Sequence, residues 1–216
     1  MHTGTAEISC WGNGDMKETV SRGARIGTAS GLVLIALLVC AAFASPAAAT
    51  DDVWALLKKP GHFVLLRHSN APGSQAESND MDFKDCSIQR NLDAEGRAQA
   101  GRIGDEFRKR RILNVRLVSS QYCRAIDTAT LMKLGPVAQQ PFLNLVDLAD
   151  FLSMREAGNK SRAFMKTVPA NQLAVLVTHV ANIKAIAGVM VESGEMAVVH
   201  FDPAGEVVVD GRIVVP

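Results

Sequence analysis

Two short apolar runs far apart in the chain each end on a histidine, and a third run between them ends beside an arginine. The outer runs are Phe63-Val64-Leu65-Leu66-Arg67-His68 and Leu173-Ala174-Val175-Leu176-Val177-Thr178-His179. The middle one ends at Ser119 and leads into Ser120-Gln121-Tyr122-Cys123-Arg124. Apolar runs of this length, without strict alternation, read as strands of a parallel sheet buried on both faces. In open α/β sheets, ligands collect beyond the carboxyl ends of the strands. Each run therefore delivers a histidine or an arginine to the same edge, which is the outline of a phosphate site.

The segments between these runs fit an α/β sandwich. Residues 69–89 are rich in Ser, Asn, Asp, Gly and Pro and read as a long loop directly after His68. Loops of that length in compact domains are usually functional or disordered. Asp93 then caps a helix over residues 93–111, with Leu92, Gly96, Ala100, Ile103 and Phe107 toward the sheet. Residues 116–119 are the second strand, a helix begins at or near Arg124, and residues 136–142 read as an edge strand. Residues 161–168 are expected to be helical. After the strand ending at Thr178 comes a helix with Ile183, Ile186, Ala187 and Met190 on one face. Residues 195–201, 206–209 and 212–215 read as short strands, with turns at Asp202-Pro203-Ala204-Gly205 and Asp210-Gly211. The expected fold is a three-layer sandwich: a mostly parallel central sheet flanked by helices, with an antiparallel margin at the C-terminal end.

The N-terminus reads as a targeting segment. Lys17, Arg22 and Arg25 precede an apolar stretch over residues 31–44, and Ala47-Ala48-Ala49 offers an A-x-A cleavage site. The expectation is a signal peptide over residues 1–49, with translation starting at Met1 or Met16, and a single domain over 50–216 in the periplasm or outside the cell. The apolar stretch is short for a membrane span, so an uncleaved anchor and a lipoprotein processed at Cys40 are the lesser alternatives. The leader holds three of the 23 basic and three of the 22 acidic residues, which leaves the domain near neutral. That balance gives no support for binding nucleic acid or a membrane surface. Of the four cysteines, Cys86 and Cys123 lie in the domain. An exported pair can oxidise, tying the long loop to the turn beside Arg124, with two buried thiols as the alternative.

A phosphoryl group needs several donors in fixed directions, and an arginine fork meets it bidentately. A neutral imidazole is a competent nucleophile toward phosphorus. The segments Leu66-Arg67-His68, Cys123-Arg124-Ala125…Thr128-Ala129 and Val177-Thr178-His179, in that order, resemble those of the histidine phosphatase superfamily, also called phosphoglycerate mutase-like. The stretch Asn91-Leu92-Asp93-Ala94-Glu95-Gly96-Arg97-Ala98-Gln99-Ala100 is similar to the helix that connects them in that family. The similarity runs from Gly61 to about Gly188, and Asp85 to Leu92 resembles short, exported bacterial members.

The resemblance implies phosphomonoester hydrolysis in two steps. His68 takes the phosphoryl group, Arg67, Arg124 and His179 complete the phosphate pocket, and water releases phosphate. It implies a small phosphorylated substrate and neither metal nor organic cofactor. A phosphomutase on the same pocket and a non-catalytic phospho-ligand binding module are the alternatives. Two departures stand out. Ser69 replaces the glycine that usually follows the histidine, and its hydroxyl is within reach of a ligand. No acid follows His179, where Ala181 and Asn182 come after Val180, so Asp147 is the candidate general acid. Arg90 and Asn182 are candidate substrate contacts, each against a merely local role. His62 and His200 read as structural or surface residues, Arg108 to Arg111 as a solvated helix end, and Trp54 as an anchor for the N-terminal segment.

Overall fold

The computed structural model describes residues 46–73, 77 and 82–216. The expected leader lies almost wholly outside the described residues, and among those described no helix is long and apolar enough to cross a membrane. The elements in chain order are α1 (Pro46–Leu56), β1 (His62–Arg67), α2 (Ala94–Lys109), β2 (Val115–Ser119), α3 (Cys123–Leu131), β3 (Val137–Gln139), α4 (Phe151–Met165), β4 (Leu173–Thr178), α5 (Val180–Ala187), β5 (Met196–Phe201) and β6 (Val207–Ile213). Short 3-10 turns occupy Cys86–Ile88 and Pro141–Leu143.

Six strands form one sheet in the order β3-β2-β4-β1-β5-β6. β3, β2, β4 and β1 are parallel, and β5 and β6 form the antiparallel margin. Successive side chains of a strand point to opposite faces, and the apolar runs fill two cores accordingly. Val64, Leu66, Val175, Val177 and Val198 pack with Trp54, Ile103, Phe107 and Ala129 on one face. Leu65, Ala174, Leu176, Ala197 and Val199 pack with Met165, Ile183 and Ile186 on the other. Burial on both faces is why β1 and β4 read as continuous apolar runs rather than alternating ones. Trp54 is buried with its ring edge-on to Phe107 at 5.2 Å, and Arg110 covers its other side at 4.5 Å. The N-terminal segment is thus anchored as expected.

The structure corrects four readings. α4 begins at Phe151, ten residues before the expected start. Its buried face is Ala157, Gly158, Ser161 and Met165 while Phe151 and Leu152 are exposed, so apolar periodicity does not announce it. α5 stops at Gly188, whose φ of 74° breaks the helix, and Met190 falls beyond it, half exposed. Asp210-Gly211 is not a turn: β6 runs through it as one strand paired to β5, with a register shift between Val198 and Val199. The Asp-Gly pair marks a bulge here, a role that shares the sequence signature of a turn. The edge strand is also shorter than expected, three residues followed by a 3-10 turn.

Candidate active site

Parallel register brings the three runs level. Arg67 pairs with Thr178 and Ser119 with Val177, so His68, His179 and Ser120 each stand one step beyond a paired rung. The backbone holds them there: the His68 amide donates to the Thr178 carbonyl at 3.0 Å and the Ser120 amide to the Val177 carbonyl at 2.9 Å. α3 starts three residues after Ser120, so Arg124 lies in its first turn, completely buried.

One guanidinium joins the two imidazoles. Arg124 donates from Nε to His68 Nε2 at 3.2 Å, and its Nη2 lies 3.4 Å from His179 Nδ1. The two rings are 5.3 Å apart between centroids. Hydrogen-bond logic assigns the tautomers. A carbonyl only accepts, so His68 Nδ1, 2.8 Å from the Ser69 carbonyl, carries the proton and Nε2 carries the lone pair. Arg124 only donates, so His179 Nδ1 accepts and its Nε2–H donates to Ser120 Oγ at 2.9 Å. Burial and then the Arg124 charge push His68 down from 6.5 to about 3. Burial, then His68 and Arg124, holds His179 well below its ordinary value. Both rings are therefore neutral at neutral pH, and His68 presents an electron pair at Nε2 rather than a proton.

The cation among them is expensive to bury, and its partners offset that cost. Arg124 stacks on the Tyr122 ring at 4.6 Å and donates from Nη1 to Glu77 Oε1 at 2.7 Å. The Arg90 amide donates to the same carboxylate oxygen at 2.7 Å, and the Arg90 guanidinium binds the carbonyls of Ala71 and Gly73. Arg67 reaches the Val191 carbonyl at 3.0 Å and lies 3.8 Å from Glu192. Two polar atoms beside the cluster, Arg67 Nε and Ser69 Oγ, are buried without a partner among the described residues. Buried polar atoms without a partner are uncommon in folded proteins; Ser161 Oγ, in α4, is another.

The structure thus brings together His68, His179, Arg67, Arg124, Ser69 and, through Glu77, Arg90. It does not bring in Asp147, which is exposed and accepts from the Ala149 amide in a local turn. Asn182 is buried and donates to the Asn144 carbonyl at 2.9 Å, while its Oδ1 has no partner among the described residues. Ser69 does not need to be glycine, because the only non-glycine residues with positive φ among those described are Arg111 and Lys133. Sequence reasoning missed Ser120 and Glu77. Ser120 sits in the segment that leads from β2 to Arg124 and follows from the strand register. Glu77 stands alone in an aperiodic loop and carries no local signal.

The loop is secured to the site at both ends. Cys86 and Cys123 form a disulfide across 37 residues, joining the 3-10 turn to the first residue of α3. Gln89 reinforces that junction by accepting from the Cys123 amide at 2.9 Å. At the other end, Thr128 accepts from the Ser69 amide, and Gln99 and Asp93 of the α2 segment take the Asn70 amide and side chain. Gly96 is required here: a Cβ would stand 2.0 Å from the Asn70 carbonyl oxygen.

The family profile described as "Histidine phosphatase superfamily (branch 1)" matches residues 63–163, which hold β1, the Arg124 turn and the connecting helix. Over that segment, just under half of its length, the chain matches the histidine phosphatase superfamily. No curated protein matches its sequence significantly. Solved structures share the fold. A mycobacterial glucosyl-3-phosphoglycerate phosphatase is 19% identical, with a TM-score of 0.52 over 69% of this chain and 97% of its own. The product of a Mycobacterium tuberculosis open reading frame gives 13% identity and 0.52 over 72% and 96%. A Nakamurella multipartitia protein, described as a candidate phosphohistidine phosphatase SixA, gives 17% identity and 0.52 over 72% and 98%. At these identities the likeness is one of fold, and the family match over residues 63–163 supports phosphatase-type chemistry in general.

Proposed function

We propose that this histidine phosphatase hydrolyses a small phosphomonoester through a phosphohistidine on His68. The observation that carries the reading is the shared guanidinium: a lone pair at His68 Nε2 and a second neutral imidazole both face Arg124. In the first step the Nε2 lone pair forms a bond to phosphorus while the bond to the ester oxygen breaks, and the leaving oxygen takes up a proton from solvent, which the attacking water returns in the second step. Arg67 and Arg124 balance the charge on the phosphoryl oxygens. His179 presents its Nδ1 edge to the same place, and a proton gained there on substrate binding turns it into a further donor. In the second step water attacks phosphorus, the N–P bond breaks, and inorganic phosphate leaves His68 neutral again.

Ser69, Arg90 and Asn182 are proposed as substrate contacts. Asp147 reaches the leaving group only if the substrate or the loop before α4 brings them together. The domain reading over 50–216, cleavage after Ala49 and export to the periplasm or beyond are part of the same proposal. The Cys86–Cys123 disulfide supports export, because such bonds persist in oxidising compartments.

The test is turnover of p-nitrophenyl phosphate by wild type and His68→Ala, with trapping of acid-labile phosphate on each. Turnover and label in wild type, both lost in the variant, is the expected result. Phosphate binding without turnover in wild type would overturn the hydrolase reading in favour of a phospho-ligand binding module.

A further inference from the structure

The bulge that overturned the Asp210-Gly211 turn creates a second cluster at the other end of the sheet. His62 opens β1 and pairs directly with His200 of β5, so both imidazoles project from the same face. Across the next ladder Val199 pairs with Val209 and Val198 with Gly211, which leaves Asp210 as the extra residue of β6. Bulges re-aim side chains, and this one directs Asp210 at both histidines. Its Oδ2 lies 2.8 Å from His200 Nδ1 and 3.7 Å from His62 Nε2.

We propose that His62, His200 and Asp210 form a binding site for a divalent transition-metal ion of the zinc class, separate from the phosphoryl-transfer site. The three ligand atoms lie within 4.8 Å of one another. Four-coordinate zinc binds His nitrogen and carboxylate oxygen at about 2.0–2.2 Å, which places neighbouring donors roughly 3.3–3.5 Å apart. The two separations to Asp210 bracket that spacing, and the two imidazole nitrogens lie within 4.8 Å of each other, so side-chain rotation closes the site.

The tautomers favour it as well. His62 Nδ1 is 3.3 Å from the Pro60 carbonyl, which can only accept, so the proton is on Nδ1 and the Nε2 lone pair faces Asp210. Metal-binding histidines are commonly oriented by this kind of outer hydrogen bond to a carbonyl. His200 now donates its Nδ1 proton to Asp210; on binding the ion that proton leaves to solvent and Nε2 takes one up, so the imidazole stays neutral. Two imidazoles and one carboxylate then hold the ion, with water in the remaining position.

A simple His–Asp ion pair would need only one of these histidines, and their placement on one rung puts two nitrogens where one would suffice. The side chains are 14%, 34% and 18% exposed for His62, His200 and Asp210, open enough for an ion to enter. The mixed N/O donor set selects zinc, nickel, copper or cobalt over magnesium and calcium, which prefer all-oxygen sites. His62 and His68 sit at opposite ends of β1, about 20 Å apart at strand rise. The ion would therefore clamp β1 to the terminal hairpin without touching the phosphate.

Titrate the metal-free protein with Co²⁺ and then Zn²⁺, following visible absorption and calorimetry. The expected result is one saturable site with an intense tetrahedral Co²⁺ band that zinc displaces. The melting temperature should rise with zinc. Asp210→Asn and the double variant His62→Gln/His200→Gln should each weaken binding at least tenfold, with p-nitrophenyl phosphate turnover unchanged. No saturable cobalt uptake by wild type overturns the proposal. So does equal uptake by the variants, which would place the metal elsewhere, for example on His68 and His179. The wild-type cobalt spectrum needs no variant and keeps the test decisive if a substitution disturbs folding.

Discussion

Replacing Glu77 by glutamine should make the folded protein less stable and better at holding phosphate. The carboxylate stands 2.7 Å from Arg124 Nη1, and the two side chains are 2% and 0% exposed. Unit charges at about 4 Å attract by about 4 kcal/mol at the effective dielectric of proteins. Removing one member of a buried pair costs about 3–5 kcal/mol, because the other is left uncompensated. Glutamine keeps the shape and an acceptor, so a loss of about 3 kcal/mol is expected, at the low end of that range. At about 2–4 °C per kcal/mol for a domain of this size, the melting temperature falls by roughly 6–12 °C in phosphate-free buffer. The same carboxylate occupies an arginine fork that a phosphoryl group would need. Without it, inorganic phosphate no longer displaces an anion, and affinity rises by up to about 100-fold for a 3 kcal/mol difference. Differential scanning fluorimetry across a phosphate series, with calorimetry for the dissociation constant, reads both effects. The gap in melting temperature between the two proteins should close as phosphate is added. An unchanged melting temperature, or phosphate affinity equal to or weaker than wild type, would refute the reasoning.

Three further outcomes follow from the same contacts. His68 is lowered from 6.5 to about 3 in the fold, so the unfolded chain takes up its proton first as pH falls. The stability this ring contributes is fully present above pH 6.5 and is lost toward pH 3, by about 5 kcal/mol in all; His179 acts in the same direction. Melting temperature should therefore fall less steeply between pH 6.5 and 4.5 in His68→Gln than in wild type, and equal slopes would contradict the assignment. Reducing the Cys86–Cys123 bond, which spans 37 residues, should cost about 4 kcal/mol in chemical denaturation and weaken phosphate binding, since it frees the loop from α3. An unchanged denaturation midpoint after complete reduction would count against it. Gly96→Ala should destabilise by about 1–3 kcal/mol despite better helix propensity, because the new Cβ meets the Asn70 carbonyl oxygen at 2.0 Å. Its turnover should fall with the displaced Ser69-Asn70 backbone, and a more stable variant in urea unfolding would show that the contact is relieved.

What the sequence discloses here depends on how locally each feature is encoded. β1 and β4 are legible because double-sided burial demands uninterrupted apolar runs, and the residues closing those runs lead straight to His68 and His179. The α2 segment is legible because Asp93 caps it and Gly96, Ala100, Ile103 and Phe107 line one face. α4 is not, because it buries small and polar residues and exposes Phe151 and Leu152. Asp210-Gly211 misleads because turns and bulges draw on the same residues. The functional site divides the same way. Arg67, Arg124 and both histidines sit on regular elements whose register fixes them, whereas Glu77 reaches Arg124 across 47 residues from an aperiodic loop. Asp147 rests on position along the chain alone, and the fold leaves it exposed in a local turn.

His68 Nε2 is the proposed nucleophile, since Nδ1 is committed to the Ser69 carbonyl at 2.8 Å. The direct measurement is phosphorus NMR of the denatured phosphoenzyme, trapped during turnover and mapped to its peptide. The predicted signal is a single phosphohistidine on residue 68, substituted at Nε2. Phosphate on Nδ1, on His179, or on no histidine at all would contradict it.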